Sequence, residues 1–143
     1  MAAEASAATG AGDIDVERLG GWLAGVLGDL DAPVALTKFP GGQSNPTYRL
    51  DVGGKSYALR RKPFGPTLPS AHAVDREYRL ISALHPTGFP VARPVALCAD
   101  EAVIGSIFYV MEHVAGRTLV DGTLPDEAPT ERAAIYRALT TTL

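Results

Sequence analysis

The sequence predicts an α+β fold: a five-stranded antiparallel sheet with one packed helix, preceded by one helix and followed by another. Stretches of alternating apolar and polar residues are separated by Gly- and Pro-rich turns, which is typical of antiparallel strands. Apolar residues spaced three and four apart mark the helices. With 143 residues, 46% of them apolar, the chain is large enough to form one domain with its own core.

The first helix is predicted over residues 13–30, with Asp13 or Asp15 as its N-cap. Alternation then predicts three strands, at 34–39, 47–52 and 55–61. The last two are joined by a tight turn at Gly53-Gly54.

The second half of the chain continues with helical and then alternating patterns. Ser70 is expected to cap a helix that runs to about Leu84, after a loop with three prolines. Two more strands are predicted at 94–99 and 104–114. A final helix is predicted from Pro129 or Thr130, and it is still running at the last residue.

Charge and cysteine content exclude several classes of protein. The net charge of −3 provides no basic field for nucleic acid and no polybasic patch for a membrane. Cys98 is the only cysteine and lies in an apolar run, so we expect a buried, inert thiol. No stretch approaches the roughly 20 apolar residues of a transmembrane helix. Residues 1–12 lack the features of a signal peptide and are expected to be a disordered lead-in. These features favour a cytoplasmic protein.

A loop between the first two strands could bind an anion. Adjacent glycines let the backbone approach a phosphate closely, and hydroxyl and amide groups can donate to it. A plain hairpin connection would use the same residue types. The loop consists of Gly41, Gly42, Gln43, Ser44 and Asn45.

The third strand places a small residue and a cation on one face. Ala58 and Arg60 point the same way because strand side chains alternate. They would form a floor for a flat ring and a clamp for phosphates. Arg61 and Lys62 are expected to be solvated.

Glu77 lies on the apolar stripe of the helix after this strand, between Val74 and Ile81. A carboxylate on a buried face needs a partner, and the planar fork of Arg60 suits it. The alternative is that Glu77 lies at the edge of the stripe and is solvated.

These features occur in an order that resembles the N-terminal lobe of the protein-kinase-like fold. More narrowly, the chain resembles the aminoglycoside phosphotransferase and choline-kinase-like family, and the phosphotransferase portion fused to some acyl-CoA dehydrogenases. The similarity covers residues 34–143. It is carried by the segments FPGGQSNPTY (39–48), YALRRKP (57–63) and DREYRL (75–80).

The resemblance implies an ATP-dependent transfer of phosphate to a small-molecule hydroxyl. It assigns the 41–45 loop to the phosphates, Arg60 to clamping them, and Glu77 to pairing with Arg60. Residues 108–114 match the strand that leads to the hinge, where the Glu112 carbonyl and the Val114 amide would read adenine. Ala58 and Met111 complete the expected nucleotide site. Antibiotic, choline-like, sugar and hydroxyacyl acceptors all stay open, and the resemblance favours the last.

The family's catalytic loop and Mg²⁺ ligands belong to a large lobe that has no match in this chain. No histidine begins a His-Gly-Asp loop, and Asp13-Ile14-Asp15 precedes the small lobe. We expect a fragment: a lead-in at 1–12, a small lobe at 13–115, and a linker with the first large-lobe helix at 116–143. Such a chain would have no catalytic or metal-binding residue and no activity alone. The alternatives are a non-catalytic nucleotide-binding or protein-interaction domain, and an unrelated α+β domain.

Overall fold

The computed structural model describes residues 14–30, 32–40, 45–69, 71 and 73–143. The predicted lead-in at 1–12, Asp13 and Ser70 lie outside the described residues. The elements run in the order α1 (Val16–Leu27), β1 (Ala35–Lys38), β2 (Thr47–Val52), β3 (Lys55–Arg61), α2 (Val74–Leu84), β4 (Pro94–Cys98), β5 (Phe108–Glu112) and α3 (Pro129–Thr142), with a 3₁₀ turn at His85–Thr87. None of the described helices has the length and apolar character needed to cross a membrane.

The predicted five-stranded antiparallel sheet is confirmed. Its strand order is β1-β2-β3-β5-β4, with antiparallel pairing between neighbours. The bounds of β2 and β3 are those predicted. Gly53 and Gly54 join them with φ values of 59° and 74°, as a two-residue turn of this kind requires.

Several predicted element bounds are wrong. α2 begins at Val74, with Ala73 and not Ser70 at its N-cap, and β1, β4 and β5 are shorter than predicted. α1 ends at Leu27 instead of residue 30, because Gly28 adopts a φ of 93°. β5 begins at Phe108 instead of residue 104. The preceding residues form turns, in which the Gly105 amide donates to the Glu101 carbonyl at 2.7 Å and Gly105 has a φ of 89°.

α1 packs on one face of the sheet, which we call the core face. Asp15 caps the helix, and its carboxylate accepts from the amides of Glu17 and Arg18 at 3.1 and 3.0 Å. Leu19 and Leu23 are completely buried. The helix and the core face form one cluster, in which the strands contribute Leu36, Tyr48, Leu50, Val52, Tyr57, Leu59, Cys98, Phe108 and Val110. Cys98 is buried, as predicted, and burial raises the pKa of its thiol.

The expectation that Arg61 is solvated is wrong. Arg61 is only 6% exposed, because strand alternation turns it to the core face. Its Nε and Nη2 donate to the Tyr48 hydroxyl at 3.2 and 3.1 Å, and its guanidinium carbon lies 3.8 Å from the centre of the Phe64 ring. An aromatic face and a phenol oxygen therefore take the place of water around this cation.

The C-terminal segment contributes little to the core. α3 has no buried residue, and Leu139 and Leu143 are 54% and 92% exposed. Arg117 pairs with Glu127, and the Tyr136 hydroxyl donates to the Gly122 carbonyl. These contacts attach α3 to the preceding loop.

Candidate functional site

The opposite face of the sheet, which we call the site face, carries the predicted functional side chains in two cross-strand rows. The strand register places Thr47, Arg60 and Tyr109 side by side on β2, β3 and β5. The next row on the same face consists of Arg49, Ala58 and Met111. α2 packs beside the first row, against β4 and β5.

The predicted ion pair between Arg60 and Glu77 is present and bidentate. Arg60 Nε lies 2.6 Å from Glu77 Oε2, and Nη2 lies 3.2 Å from Oε1. The two side chains are 29% and 37% exposed, so the pair is half-buried. The planar guanidinium thus fits the carboxylate edge to edge, which fixes the orientation of both groups.

Two further side chains donate to the same carboxylate. Asn45 Nδ2 lies 3.1 Å from Glu77 Oε1, and the Tyr109 hydroxyl lies 3.2 Å from Oε2. Each carboxylate oxygen therefore accepts one bond from Arg60 and one from another residue. We call Arg60, Glu77, Asn45, Tyr109 and Thr47 the clamp network.

Thr47 completes the clamp network on the other side of the guanidinium. Arg60 Nη1 donates to Thr47 Oγ1 at 3.1 Å and to the Asn45 carbonyl at 3.4 Å. The sequence analysis missed Thr47 and Tyr109. The strand pairing could have found them, because they lie directly across from Arg60 on its two neighbouring strands.

Electrostatics within the clamp network keep the pair ionised. Burial raises the pKa of Glu77, but the hydrogen bonds and charge of Arg60, with the donors Tyr109 and Asn45, outweigh burial and lower it. The hydrogen bond to Glu77 raises the pKa of Arg60 against the opposing effect of burial. Burial and the negative charge of Glu77 raise the pKa of Tyr109, so its hydroxyl stays a donor.

Asn45 joins this network to the Gly-rich loop. It is 3% exposed, and its Oδ1 is a buried acceptor for which the described part of the chain provides no donor. The four preceding loop residues assigned to phosphate, Gly41, Gly42, Gln43 and Ser44, lie outside the described residues. Of the predicted loop, only Asn45 has a described position, and it is in contact with Glu77.

The residues expected to contact adenine lie at the end of β5. Met111 is half-buried beside Ala58, which is 7% exposed, whereas Val114 is 67% exposed. Glu112 is the last residue of β5. Arg49, in the same row, is turned along its own strand, where Nε lies 3.0 Å from Asp51 Oδ1 and Nη2 lies 3.2 Å from Ser56 Oγ.

Within the described ranges, no group of three or more histidine, cysteine, aspartate or glutamate side chains comes together.

Comparisons with known proteins agree with this geometry. The Phosphotransferase enzyme family matches residues 35–143. Acyl-CoA dehydrogenase family member 11 of Gallus gallus is 51% identical over 108 residues, which cover 76% of this chain and 14% of that protein. The Homo sapiens protein of the same name is 46% identical over 121 residues, covering 85% of this chain and 16% of that protein. The chain therefore spans well under a fifth of the length of these relatives.

A solved structure is also similar to this chain. A crystal structure from Ralstonia eutropha, assigned as an aminoglycoside phosphotransferase, superposes with a TM-score of 0.68 and 44% sequence identity. The match covers 87% of this chain and 35% of that one.

Proposed function

Because the chain belongs to the Phosphotransferase enzyme family, we propose that it is the nucleotide-binding small lobe of a kinase that transfers the γ-phosphate of ATP to a small-molecule hydroxyl. In this proposal residues 13–115 form the small lobe. Residues 116–143 form the linker and the first helix of a large lobe. The relatives' name, acyl-CoA dehydrogenase, favours a hydroxyacyl acceptor.

The ordered ion pair between Arg60 and Glu77 is the observation that carries this proposal. A cation on the site face has to be oriented before phosphate arrives, since phosphoryl transfer depends mainly on positioning and charge neutralisation. Glu77 accepts from Nε and Nη2 of Arg60, while Thr47 and Asn45 accept from Nη1. The network thereby fixes the plane of the guanidinium next to Asn45.

The remaining residues take roles by their position around Arg60. Backbone amides of residues 41–45 would donate to phosphate oxygens. Ala58 and Met111 would contact the adenine ring, and the Glu112 carbonyl and Val114 amide would read its edge. Mg²⁺ would neutralise the charge on the phosphates, and the resemblance assigns its ligands to the large lobe.

A titration of the isotopically labelled chain with ATP, monitored by nuclear magnetic resonance, tests the proposal. We expect saturable shifts at millimolar ATP in β1–β3 and around Arg60, since the nucleotide is gripped from one side only. Arg60→Gln removes the charge and should weaken ATP binding about tenfold, while leaving adenosine binding unchanged. Arg79→Gln is the matched control, because Arg79 is 74% exposed on α2 and pairs with Asp75 on the same helix. The absence of saturable ATP shifts would overturn the proposal.

An activity assay tests the second part of the proposal. We expect no ATP-dependent phosphorylation of small alcohols by the 143-residue chain alone, since the family's acceptor base and Mg²⁺ ligands have no match in it. Steady turnover with Mg²⁺ and any hydroxylated acceptor would contradict this expectation.

A further inference from the structure

Two aromatic side chains meet over the site face. Phe39 directly follows β1, and His113 directly follows β5. Their rings are stacked with an interplanar angle of 7° and a centroid distance of 6.0 Å. Both side chains are half-buried. We call this contact the aromatic clasp.

The strand register locates the aromatic clasp over the middle of the site face. Phe39 lies in line with the row of Thr47 and Arg60, as its amide donates to the Thr47 carbonyl at 3.0 Å. His113 lies beyond the row of Ala58 and Met111, on the other side of β2 and β3. Both residues continue the alternation of the site face, so their rings meet on that side of the sheet. Ala58 has the smallest side chain of its row, and it leaves space for a flat ring.

We propose that Phe39 is the stacking platform for the nucleobase, and that His113 occupies this platform until the base displaces it. The inference rests on the proposed function, because it assigns a place to the base of ATP. His113 lies between Glu112 and Val114, the two residues proposed to read the edge of that base. A base that bonds to these two residues therefore comes next to the His113 ring and its partner Phe39.

The spacing of the two rings favours displacement over insertion between them. A flat base between two rings needs two layers of about 3.5 Å, or roughly 7 Å in all. The rings are 6.0 Å apart at their centroids, so the planes are no further apart than that. Replacement of the His113 ring by the base does not require the space beside Phe39 to widen. His113 follows the last residue of β5, so its ring can move without loss of a strand pairing.

Displacement predicts opposite effects for the two aromatic residues. An aromatic pair of this kind keeps the platform closed for most of the time, so removal of the competing ring by His113→Ala should strengthen ATP binding about three- to tenfold. In that background, Phe39→Ala should weaken ATP binding by at least about fivefold, since base stacking is lost. In the parent chain, Phe39→Ala should weaken ATP binding less, because it also removes the ring with which His113 competes against the base.

The test is a double-mutant cycle of Phe39 and His113 at a pH of about 8, where histidine side chains are ordinarily neutral. Binding of ATP and of inorganic tripolyphosphate is measured by nuclear magnetic resonance. Tripolyphosphate has no base and should bind equally to all four proteins. Phe89→Ala is the control, since Phe89 is a 37% exposed phenylalanine outside the sheet, between α2 and β4.

A second measurement needs no variant. In the parent chain, the ring current of Phe39 should shift the imidazole proton resonances of His113, and ATP or adenosine should remove that shift while tripolyphosphate should not. Weaker ATP binding by His113→Ala, or affinities for ATP that are equal across the cycle, would overturn the clasp and leave the proposed function in place. Failure of the parent chain to bind both ATP and tripolyphosphate would overturn both.

Discussion

Substitution of Tyr109 by phenylalanine isolates one bond of the clamp network. The hydroxyl of Tyr109 donates to Glu77 Oε2 at 3.2 Å, and the ring packs on Tyr78 with a centroid distance of 5.8 Å. Phenylalanine keeps the ring and removes only the hydroxyl. The change in stability therefore reports the hydrogen bond and not the packing of β5 against α2.

The structure sets the size of the expected change. A hydrogen bond to a charged group contributes about 1.5–3 kcal/mol. Glu77 is 37% exposed and keeps its bonds to Arg60 and Asn45, so water can replace part of what is lost. We expect Tyr109→Phe to destabilise the chain by about 1 kcal/mol, which lowers the melting temperature by roughly 4 °C in a domain of this size. The pKa of Glu77 should rise towards its ordinary value, because one of its donors is gone.

Unfolding in guanidinium chloride, monitored by tryptophan fluorescence, measures this change in stability. Trp22 is the only tryptophan and packs edge-on against Phe108 at 4.9 Å, so its emission reports the contact between α1 and the sheet. Tyr136→Phe is the matched control, because its hydroxyl donates to a carbonyl in an exposed loop. If Tyr109→Phe unfolds at the same denaturant concentration as the parent and the Glu77 pKa is unchanged, the hydroxyl does not position Glu77.

Four regions of the chain lead to further predictions. Tyr48→Phe should destabilise the chain by about 3 kcal/mol, and by more than Arg61→Met, because only the former leaves Nε and Nη2 of a buried cation without their acceptor. A larger loss for Arg61→Met in chemical denaturation would contradict this. Leu23→Ala, at a completely buried position in α1, should cost about 2–5 kcal/mol, whereas unchanged stability would exclude α1 from the core. The parent should be more stable than Glu77→Gln, and this difference in unfolding free energy should be complete above about pH 4.5. It should decrease as the pH falls through the lowered pKa of Glu77 in the folded chain, and acid unfolding curves of both proteins measure it. Amides of α3 (Pro129–Thr142) should exchange with deuterium faster than those of β2 and β3, since no side chain of α3 is buried; strong protection of α3 in a monomer would refute this.

Local sequence signals predicted the bounds of elements that are marked by a turn or a capping residue. The bounds of β2 and β3 follow from the Gly53-Gly54 turn, and the start of α1 follows from the Asp15 cap. The start of β5 was not predictable from alternation. The apolar residues before Phe108 continue the pattern of the strand, but the left-handed conformation of Gly105 ends the pairing there.

The sequence predicted the charged pair of the candidate site and not its uncharged members. A carboxylate on an apolar helical stripe required a cation, and Arg60 was the residue on the adjacent strand that suited it. Tyr109 and Thr47 carry no charge, so periodicity alone does not distinguish them from other strand residues. They become identifiable only when the strand order is known, because Arg60 lies between them in one cross-strand row.

Arg60 and Arg61 show why sequence patterns alone cannot assign roles to neighbouring residues of one type. Consecutive strand residues face opposite sides of a sheet, and here the two sides have different surroundings. On the site face, Arg60 meets the carboxylate of Glu77, which holds the guanidinium in one orientation. On the core face, Arg61 has the Phe64 ring and the neutral Tyr48 hydroxyl as neighbours, which bury its charge without offering a route to a ligand. A shift of the β3 register by one residue would exchange these surroundings. Hydrophobic packing of α1 against Leu59 and its neighbours sets that register, and it thereby decides which of the two arginines pairs with Glu77.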